Sequence, residues 1–270
     1  MQRSTSLLML ACALMSMSPI LVPALQAETL TLAAAASLQD ALAAMKPELN
    51  HEFPGTIINI SAAASGTIQQ QITQGAPIDV YMSAAAKSVH DLDRQKLLSP
   101  GTLKVFLYGD LVLIAPAKSQ LKTIAGLVDV GIKRIAIGEP RVVPAGEYAK
   151  QTLTQLKLYD RLASKYVFGK DVRQVLSYVA RGEVEAGFVY KSDLESPAAK
   201  GVKIVEAVSK TRHEPIEYCV AVVASSKQQE KAKQLLAFLA GPKAALTWEH
   251  FGFRVPTFAV LSKGQTSAPH

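Results

Sequence analysis

The sequence predicts an α/β protein with two lobes, each built on a mostly parallel sheet that is flanked by helices. Short apolar runs typical of strands alternate with amphipathic helical patterns along most of the chain. Two continuously apolar strands, at 111–115 and 218–224, enclose about 100 residues, which is the size of one lobe. The chain has 270 residues, of which 49% are hydrophobic, and can therefore bury more than one core.

The first predicted strand, at 29–32, leads into small residues, then Ser37, and then a helical pattern over 38–49. A serine at such a junction commonly caps the helix with its hydroxyl, and Asp40 fits a weak capping box. The start of a helix also presents free N–H groups and a partial positive charge, which suit an anion. Ser37 is therefore predicted either to cap a helix only or to belong to an anion site.

The same kind of junction recurs three more times. Ser65 follows a strand at 56–60 and precedes a helix at 68–72. At the third junction a proline precedes the helix start, which is a favoured arrangement. At the fourth, Asp171 and Gln174 fit a capping box with Asp171 as the cap. The four junctions lie at 33–37, 61–67, 144–146 and 169–171.

The other predicted elements complete the alternation. The strand at 185–190 ends in Tyr190, and ligands of open α/β sheets gather outside the carboxyl ends of strands. Trp248, in the last helix, is predicted to lie in the core. The remaining strands are predicted at 78–82, 134–138 and 166–168, and the remaining helices at 89–98, 148–156, 172–181, 229–239 and 242–250.

The four helix starts and Tyr190 would supply hydrogen-bond donors without net charge: backbone N–H groups, two serine hydroxyls and one phenol. Such donors suit a fully ionised oxyanion, which can only accept hydrogen bonds. A phosphate that keeps a proton would also need an acceptor, and an unmade buried hydrogen bond costs about 1–3 kcal/mol. Arg173 is predicted either to be solvated or to pair with a neighbouring carboxylate, and Arg141 is not placed on the ligand.

Residues 1–27 have the features of a secretory signal peptide. Arg3 is the only charged residue before Glu28, residues 7–25 are apolar with small side chains, and Ala27 ends a suitable cleavage site. We therefore expect an exported protein, most simply in a bacterial periplasm.

Two alternatives for this segment are weaker. A membrane anchor, which needs about 20 apolar residues, is disfavoured by Pro19 and Pro23. Lipidation at Cys12 is disfavoured because the charged region and the apolar run before it are short. Once the segment is removed, Cys219 is the only cysteine left, so no internal disulfide is expected. Its apolar strand predicts a buried core residue.

The charge pattern excludes several classes of partner. The net charge is +7, and the Lys and Arg residues are scattered without a nucleic-acid motif. We expect a solvated basic surface that modestly favours an anionic ligand, and no nucleic-acid partner. The histidines show no metal-ligand spacing, and no cofactor is expected. They are His51, His90, His213, His250 and His270.

Taken together and in order, eight short motifs resemble those of a known family, the periplasmic molybdate-binding proteins of ABC transporters. Each motif alone is weak, and the resemblance covers nearly all of the mature chain. Gly66 departs from the pattern, since many relatives carry a hydroxyl residue there. The motifs lie at 34–38, 64–65, 75–79, 143–146 with 148–150, 171–173, 187–190 with 192–193, 218–223 and 241–245.

The resemblance implies the two-lobed type II periplasmic binding protein fold, with the ligand in the cleft between the lobes. It also implies that the anion is held by Ser37, Ser65, the backbone amides of Ala145 and Val172, and the hydroxyl of Tyr190. Molybdenum would be present only as the oxyanion, held by these same residues. We expect a signal peptide at 1–27, a first lobe at 28–108 and 221–262, a second lobe at 109–220, and a disordered tail at 263–270.

The function implied by the resemblance is capture of molybdate, and also of tungstate, for delivery to the permease subunits of an ABC transporter. A monomer without enzymatic activity is expected. Sulfate or another tetrahedral oxyanion remains an alternative, because the sequence does not fix the size of the cavity. A secreted hydrolase that uses Ser37 or Ser65 is disfavoured, since neither lies in a Gly-x-Ser-x-Gly frame. The effector domain of a transcription factor is disfavoured by the export signal and the missing helix-turn-helix.

Overall fold

The computed structural model describes residues 28–256, so the predicted signal peptide and tail lie outside the described residues. Ten strands form two sheets of five. The strands are β1 (Glu28–Ala35), β2 (Thr56–Ala63), β3 (Val80–Ser83), β4 (Lys104–Tyr108), β5 (Leu111–Pro116), β6 (Ile135–Gly138), β7 (Tyr166–Gly169), β8 (Ala186–Tyr190), β9 (Val202–Ala207) and β10 (Glu217–Val222).

Helices cover these sheets, and all of the predicted helices are present. The predicted helix at 38–49 is divided at Met45, where Pro47 lies in the first turn of the following helix. The helices are α1 (Gln39–Ala44), α2 (Lys46–Glu52), α3 (Ser65–Thr73), α4 (Ala86–Arg94), α5 (Pro144–Gln155), α6 (Val172–Ala180), α7 (Gln229–Leu239) and α8 (Pro242–His250). Short 3₁₀ segments lie at Ala36–Leu38, Ile124–Val128, Asp160–Lys165, Lys191–Glu195, Pro197–Ala199 and Lys210–Arg212.

The two sheets have matching topologies. The first has the order β2-β1-β3-β10-β4, with β1 parallel to β2 and β3 and with β10 antiparallel to its neighbours. The second has the order β7-β6-β8-β5-β9, with β6 parallel to β7 and β8 and with β5 antiparallel to its neighbours. Each sheet is therefore mixed. The antiparallel strand that borders the parallel strands is β10 in the first sheet and β5 in the second, and each of these strands directly follows a passage of the chain between the lobes.

The chain passes between the lobes twice. The first passage joins β4 to β5 through Gly109 and Asp110, and the predicted boundary lies between 108 and 109. The second lies between the end of β9 at Ala207 and the start of β10 at Glu217. The predicted boundary at 220–221 falls inside β10, whose residues pair with β3 and β4 of the first lobe. An apolar strand does not indicate which sheet it joins, so the sequence pattern could not locate this return.

One buried apolar cluster runs through both lobes, and a second covers the other face of the first sheet. The second cluster contains Cys219, which is buried and free, so the prediction of a core cysteine is confirmed. Burial raises the pKa of the Cys219 thiol to about 12, which keeps the thiol protonated and unreactive. Trp248 is also buried, and its indole N–H donates to the Leu239 carbonyl at 2.9 Å. Between residues 28 and 256, no helix combines the length and the apolar character needed to cross a membrane.

Candidate oxyanion site

A small cavity lies where the carboxyl ends of the parallel strands of both lobes meet. All five residues predicted for the site, Ser37, Ser65, Ala145, Val172 and Tyr190, line this one cavity. The other lining residues are small or apolar: Ala35, Ala36, Ala63, Ala64, Ala84, Val143 and Pro144. The structure therefore brings together residues from six separate segments of the chain.

Ser37 lies in the 3₁₀ segment that follows β1, and it does not cap a helix. The residue at the cap position is Ala35, and no side chain caps this segment or the start of α1. The Ser37 hydroxyl instead lies 3.0 Å from the Tyr218 hydroxyl, and either group can donate. The chain passes through a 3₁₀ turn before α1 begins at Gln39, which separates the serine from the amides it was expected to cap.

Ser65 is the first residue of α3 and is completely buried. Its hydroxyl oxygen accepts a hydrogen bond from the Ala84 N–H at 3.0 Å. Its carbonyl accepts from the Tyr81 hydroxyl at 2.8 Å. Because the oxygen already accepts one bond, the hydroxyl hydrogen is left as a donor for a group in the cavity.

The second lobe contributes main-chain donors. Ala145 lies in the first turn of α5, after Pro144, and Val172 is the first residue of α6. N–H groups in these positions have no acceptor within their own helix. No hydrogen bond joins either amide to another residue in the 28–256 range. Two helix starts of 12 and 9 residues thus direct unused donors and partial positive charge to the cavity.

Asp171 caps α6, as predicted. The Asp171 carboxylate accepts from the Gln174 N–H at 2.8 Å. The reciprocal bond of the predicted capping box is shifted by one residue, since the Gln174 side-chain oxygen accepts from the N–H of Lys170 at 2.7 Å. The cap fixes the start of α6 and therefore the position of the Val172 amide.

Tyr190 ends β8, and its hydroxyl is buried without a hydrogen-bond partner among the residues that the structure describes. Burial raises the pKa of Tyr190, and also that of Tyr218, well above the usual value, so both phenols keep their proton. A buried hydroxyl without a partner costs about 1–3 kcal/mol. An acceptor in the cavity would remove this cost.

Arg173 pairs with two carboxylates, which confirms the second of the two predictions for it. Its guanidinium lies 2.7 Å from Asp40 and 3.1 Å from Asp193. Asp193 is completely buried, and its other oxygen accepts from the Tyr190 N–H at 2.9 Å. Burial raises the pKa of Asp193 to about 6, although Arg173 and the Tyr190 N–H act to lower it. Sequence reasoning missed the part played by Asp193, whose only signal was its place in a family motif.

The two lobes touch beside the cavity. The Gly66 N–H, on α3, donates to the Val142 carbonyl of the second lobe at 2.9 Å. A Cβ atom added at Gly66 would lie 2.7 Å from the Val142 Cα and 2.8 Å from its carbonyl oxygen, which is too close for any side chain. The Tyr148 hydroxyl also reaches across the cleft, to the Ala84 carbonyl at 3.4 Å. Glycine at position 66 therefore permits the close approach of the lobes in this chain.

A row of aromatic rings leads from the cavity into the core of the first lobe. Tyr190 contacts Tyr218 with ring centroids 5.8 Å apart, and Tyr218 contacts Phe253 at 5.2 Å. Phe253 in turn contacts Trp248 at 5.8 Å, and all three pairs are arranged edge to face. This aromatic row joins Tyr190 of the second lobe to Tyr218, Phe253 and Trp248, which lie outside the second lobe.

Among residues 28–256, two features bear on other chemistry at this place: metal ligands and a base beside the two serines. No group of three or more His, Cys, Asp or Glu side chains between residues 28 and 256 could hold a metal ion. Within the same range, the hydrogen-bond partners of the Ser37 and Ser65 hydroxyls are Tyr218 and Ala84, and neither is an imidazole or a carboxylate. A serine nucleophile needs such a base beside it.

Two lobes that are joined by two crossings, with a small cavity of uncharged donors between them, define a two-lobed solute-binding protein. The family model for bacterial extracellular solute-binding proteins matches residues 30–254 of this sequence. The chain therefore belongs to this family. Members of this class bind a solute without converting it, so the protein is not an enzyme.

Three similar proteins agree with this assignment. A Bacillus subtilis protein named as an ABC transporter substrate-binding lipoprotein is 37% identical over 83% of this chain and 86% of its own length. The molybdate-binding protein ModA of Escherichia coli is 35% identical over 84% of this chain and 89% of its own length. The solved periplasmic molybdate-binding protein of Azotobacter vinelandii superposes with a TM-score of 0.75 and 29% identity, over 84% of this chain and all of that one.

Proposed function

We propose that this protein binds molybdate, and also tungstate, and delivers the oxyanion to the membrane permease of an ABC transporter. The observation that carries the proposal is the Tyr190 hydroxyl, a buried donor that lines the cavity and has no partner between residues 28 and 256. The names of the Escherichia coli and Azotobacter vinelandii relatives support this choice of ligand.

The chemistry of the cavity favours a fully ionised oxyanion. Ser65 has a hydroxyl hydrogen left to donate, and Ala145 and Val172 offer amides that have no acceptor. Tyr190 keeps its proton, because burial raises its pKa. A protonated phosphate would place its own O–H against donors only, and this mismatch would cost about 1–3 kcal/mol. Molybdate and tungstate carry no proton at neutral pH and can accept every bond.

In the proposed cycle, the lobes of a monomer close on the ligand by hinge bending, and the closed form docks on the permease. The two chain passages, at 109–110 and between Ala207 and Glu217, are the places where such bending would occur. Export through a cleaved signal peptide at 1–27 would place the protein in the periplasm. No cofactor takes part in this cycle.

Calorimetric titration of the chain that begins at Glu28 tests the proposal, with molybdate, tungstate, sulfate and phosphate as ligands. We expect sub-micromolar binding of molybdate and tungstate. Tyr190→Phe should weaken binding about tenfold or more, because it removes a buried donor to a charged ligand. Tyr178→Phe, which removes a phenol from α6 outside the cavity, is the matched control.

Other outcomes would contradict the proposal in different ways. Tight binding of sulfate with weak binding of molybdate would keep the site and change the transported ion to sulfate. The absence of heat with all four oxyanions would reject the oxyanion site altogether.

A further inference from the structure

Arg173 connects the two lobes beside the oxyanion cavity. It belongs to α6 of the second lobe and follows Val172, but it does not line the cavity. Its side chain is 17% exposed, and it contacts groups of both lobes. Each of its three guanidinium nitrogens lies within 3.3 Å of an oxygen of Ala36, Ser37, Asp40 or Asp193.

The contacts with the first lobe are made with the segment that carries Ser37. Arg173 Nε donates to the Ala36 carbonyl at 3.3 Å, and Nη2 donates to the Ser37 carbonyl at 3.2 Å. Nη1 lies 2.7 Å from the carboxylate of Asp40, in the first turn of α1. These contacts exist only while the two lobes are close together.

The contact of Arg173 with Asp193 differs from these contacts because it lies within the second lobe. Arg173 Nε lies 3.1 Å from the buried Asp193 carboxylate, which also accepts from the Tyr190 N–H. Both residues belong to the lobe that carries Arg173, so this contact can persist when the lobes separate. It holds the guanidinium in an orientation that is ready to meet the first lobe.

We propose that Arg173 is a positioning residue that stabilises the closed arrangement of the lobes, and that Asp40 is its partner in the first lobe. The inference rests on the proposed function, since it concerns the affinity of the same site. Through its contacts, Arg173 fixes the Ser37 turn from one side and, through Asp193, the end of β8 that carries Tyr190.

The apparent affinity of a ligand that needs the closed form is proportional to the fraction of molecules that can adopt this form. A charge pair that exists only in the closed form raises this fraction. Asp40 is 29% exposed, and the pair is also supported by two carbonyl acceptors. Its loss should therefore lower the affinity about tenfold.

The Asp40→Asn substitution distinguishes stabilisation of the closed form from the direct electrostatic effect of the Asp40 charge on the anion. The substitution removes a negative charge close to an anion site, so Coulomb interaction alone predicts tighter binding. Loss of the interlobe pair predicts weaker binding. Asp93→Asn removes the same charge from an exposed position on α4 and is the matched control.

The experiment is calorimetric titration of molybdate into the parent chain, Asp40→Asn, Asp93→Asn and Arg173→Met. We expect Asp40→Asn and Arg173→Met to weaken binding about tenfold or more, and Asp93→Asn to stay within about twofold. Asp40→Asn and Asp93→Asn should both unfold cooperatively on heating without molybdate, which excludes loss of the fold as the cause of weaker binding. Binding by Asp40→Asn that equals or exceeds that of the parent would overturn the inference.

A second measurement does not depend on the ligand. Spin labels at Gln71→Cys on α3 and Thr154→Cys on α5 report the distance between the lobes, and the native Cys219 is buried and will not be labelled. Asp40→Asn should increase the share of long distances relative to Asp93→Asn. Identical distance distributions would overturn the inference, even if the parent chain binds no oxyanion and the proposed function fails.

Discussion

The two lobes build their halves of the cavity from the same topology with different chemistry. Strands β1, β2 and β3 of the first lobe correspond in sheet order to β6, β7 and β8 of the second. In the first lobe, the segments after β1 and β2 contribute the side-chain hydroxyls of Ser37 and Ser65. In the second, the equivalent segments contribute the backbone amides of Ala145 and Val172. Single side-chain substitutions can therefore remove the donors that follow β1 and β2 in the first lobe, but not the equivalent main-chain donors of the second lobe, where Tyr190 is the side-chain donor.

The third strand of each lobe shows a further difference. In the second lobe, β8 ends in Tyr190, whose hydroxyl has no partner in the described range. In the first lobe, Ala84 follows β3, donates its N–H to Ser65 and accepts the Tyr148 hydroxyl with its carbonyl. The first lobe thus uses this position to orient a donor and to contact the other lobe, whereas the second uses it to supply a donor.

The largest predicted effect concerns Asp193, a completely buried carboxyl of the second lobe. Its pKa is raised from 3.8 to about 6 by burial, so the folded protein holds this proton more tightly than the unfolded chain. The contribution of this raised pKa to the free energy of unfolding is fully present below pH 3.8 and is lost as the pH rises through about 6. The contribution of this group is about 3 kcal/mol.

Urea unfolding between pH 4 and 7.5 checks this prediction. Asp193→Asn should flatten the dependence of the free energy of unfolding on pH within this window, whereas Asp160→Asn at an exposed position should not. A slope that persists in Asp193→Asn would show that another group is responsible.

The second prediction alters the contact between the lobes. Gly66→Ala places a methyl group against the Val142 backbone, so the lobes can no longer approach to the observed distance. Overpacking of this kind costs about 1–3 kcal/mol, which corresponds to a loss of molybdate affinity of about ten- to hundredfold. Titration of Gly66→Ala is compared with that of Gly131→Ala, where an added Cβ meets nothing within 4 Å. Equal affinities for the two variants would contradict the need for glycine at position 66.

The third prediction compares side-chain donors with main-chain donors. Ser65→Ala removes a donor and leaves the Ala84 N–H without its acceptor. It should weaken molybdate binding about tenfold or more. Val172→Ala keeps the amide and should leave the affinity within about threefold. If the two variants were equally impaired in titrations, the assignment of Val172 as a main-chain donor would be wrong.

The smallest predicted effect concerns the caps. Asp171 caps α6 of the second lobe, whereas Ser37 caps no helix in the first. Asp171→Ala should therefore lower the free energy of unfolding by about 1 kcal/mol. Ser37→Ala costs stability for another reason, because it leaves the buried Tyr218 hydroxyl without its partner, at about 1–3 kcal/mol. Urea unfolding of the two variants without ligand measures both losses, and an unchanged free energy of unfolding in Asp171→Ala would contradict its role as the cap.

Much of the fold could be predicted, because apolar runs and helix starts are local signals. Two strands were missed, since β4 and β9 contain charged residues and lie at the edges of the sheets. The matching topologies were also not visible in the sequence, because the equivalent junctions use different residues. Only the structure shows that Ser65 and Val172 occupy equivalent places.

The resemblance to the molybdate-binding family implied the five site residues, and the structure places all five in the lining of one cavity, each near the end of a strand or the start of a helix. The supporting contacts could not be predicted. Arg173 meets Asp40 across 133 positions of the sequence, and no local pattern indicates which carboxylate an arginine will reach. Of the two predictions for Ser37, the helix cap was wrong, because a serine before a helix does not indicate whether a 3₁₀ turn separates the two. Its place in an anion site stays a prediction. Sequence patterns thus locate the donors, and tertiary structure decides what holds them.

The aromatic row gives the protein an optical property. Trp248 is the only tryptophan of the 270 residues, and Tyr218 and Phe253 connect it to Tyr190 at the cavity. Light absorbed by the two tyrosines can pass to the indole over these short distances, so tryptophan emission carries a signal from the binding site. A change in the environment of the Tyr190 phenol would then alter the fluorescence of Trp248, which does not line the cavity. Binding at the proposed site would thus be followed by tryptophan emission, without any added label.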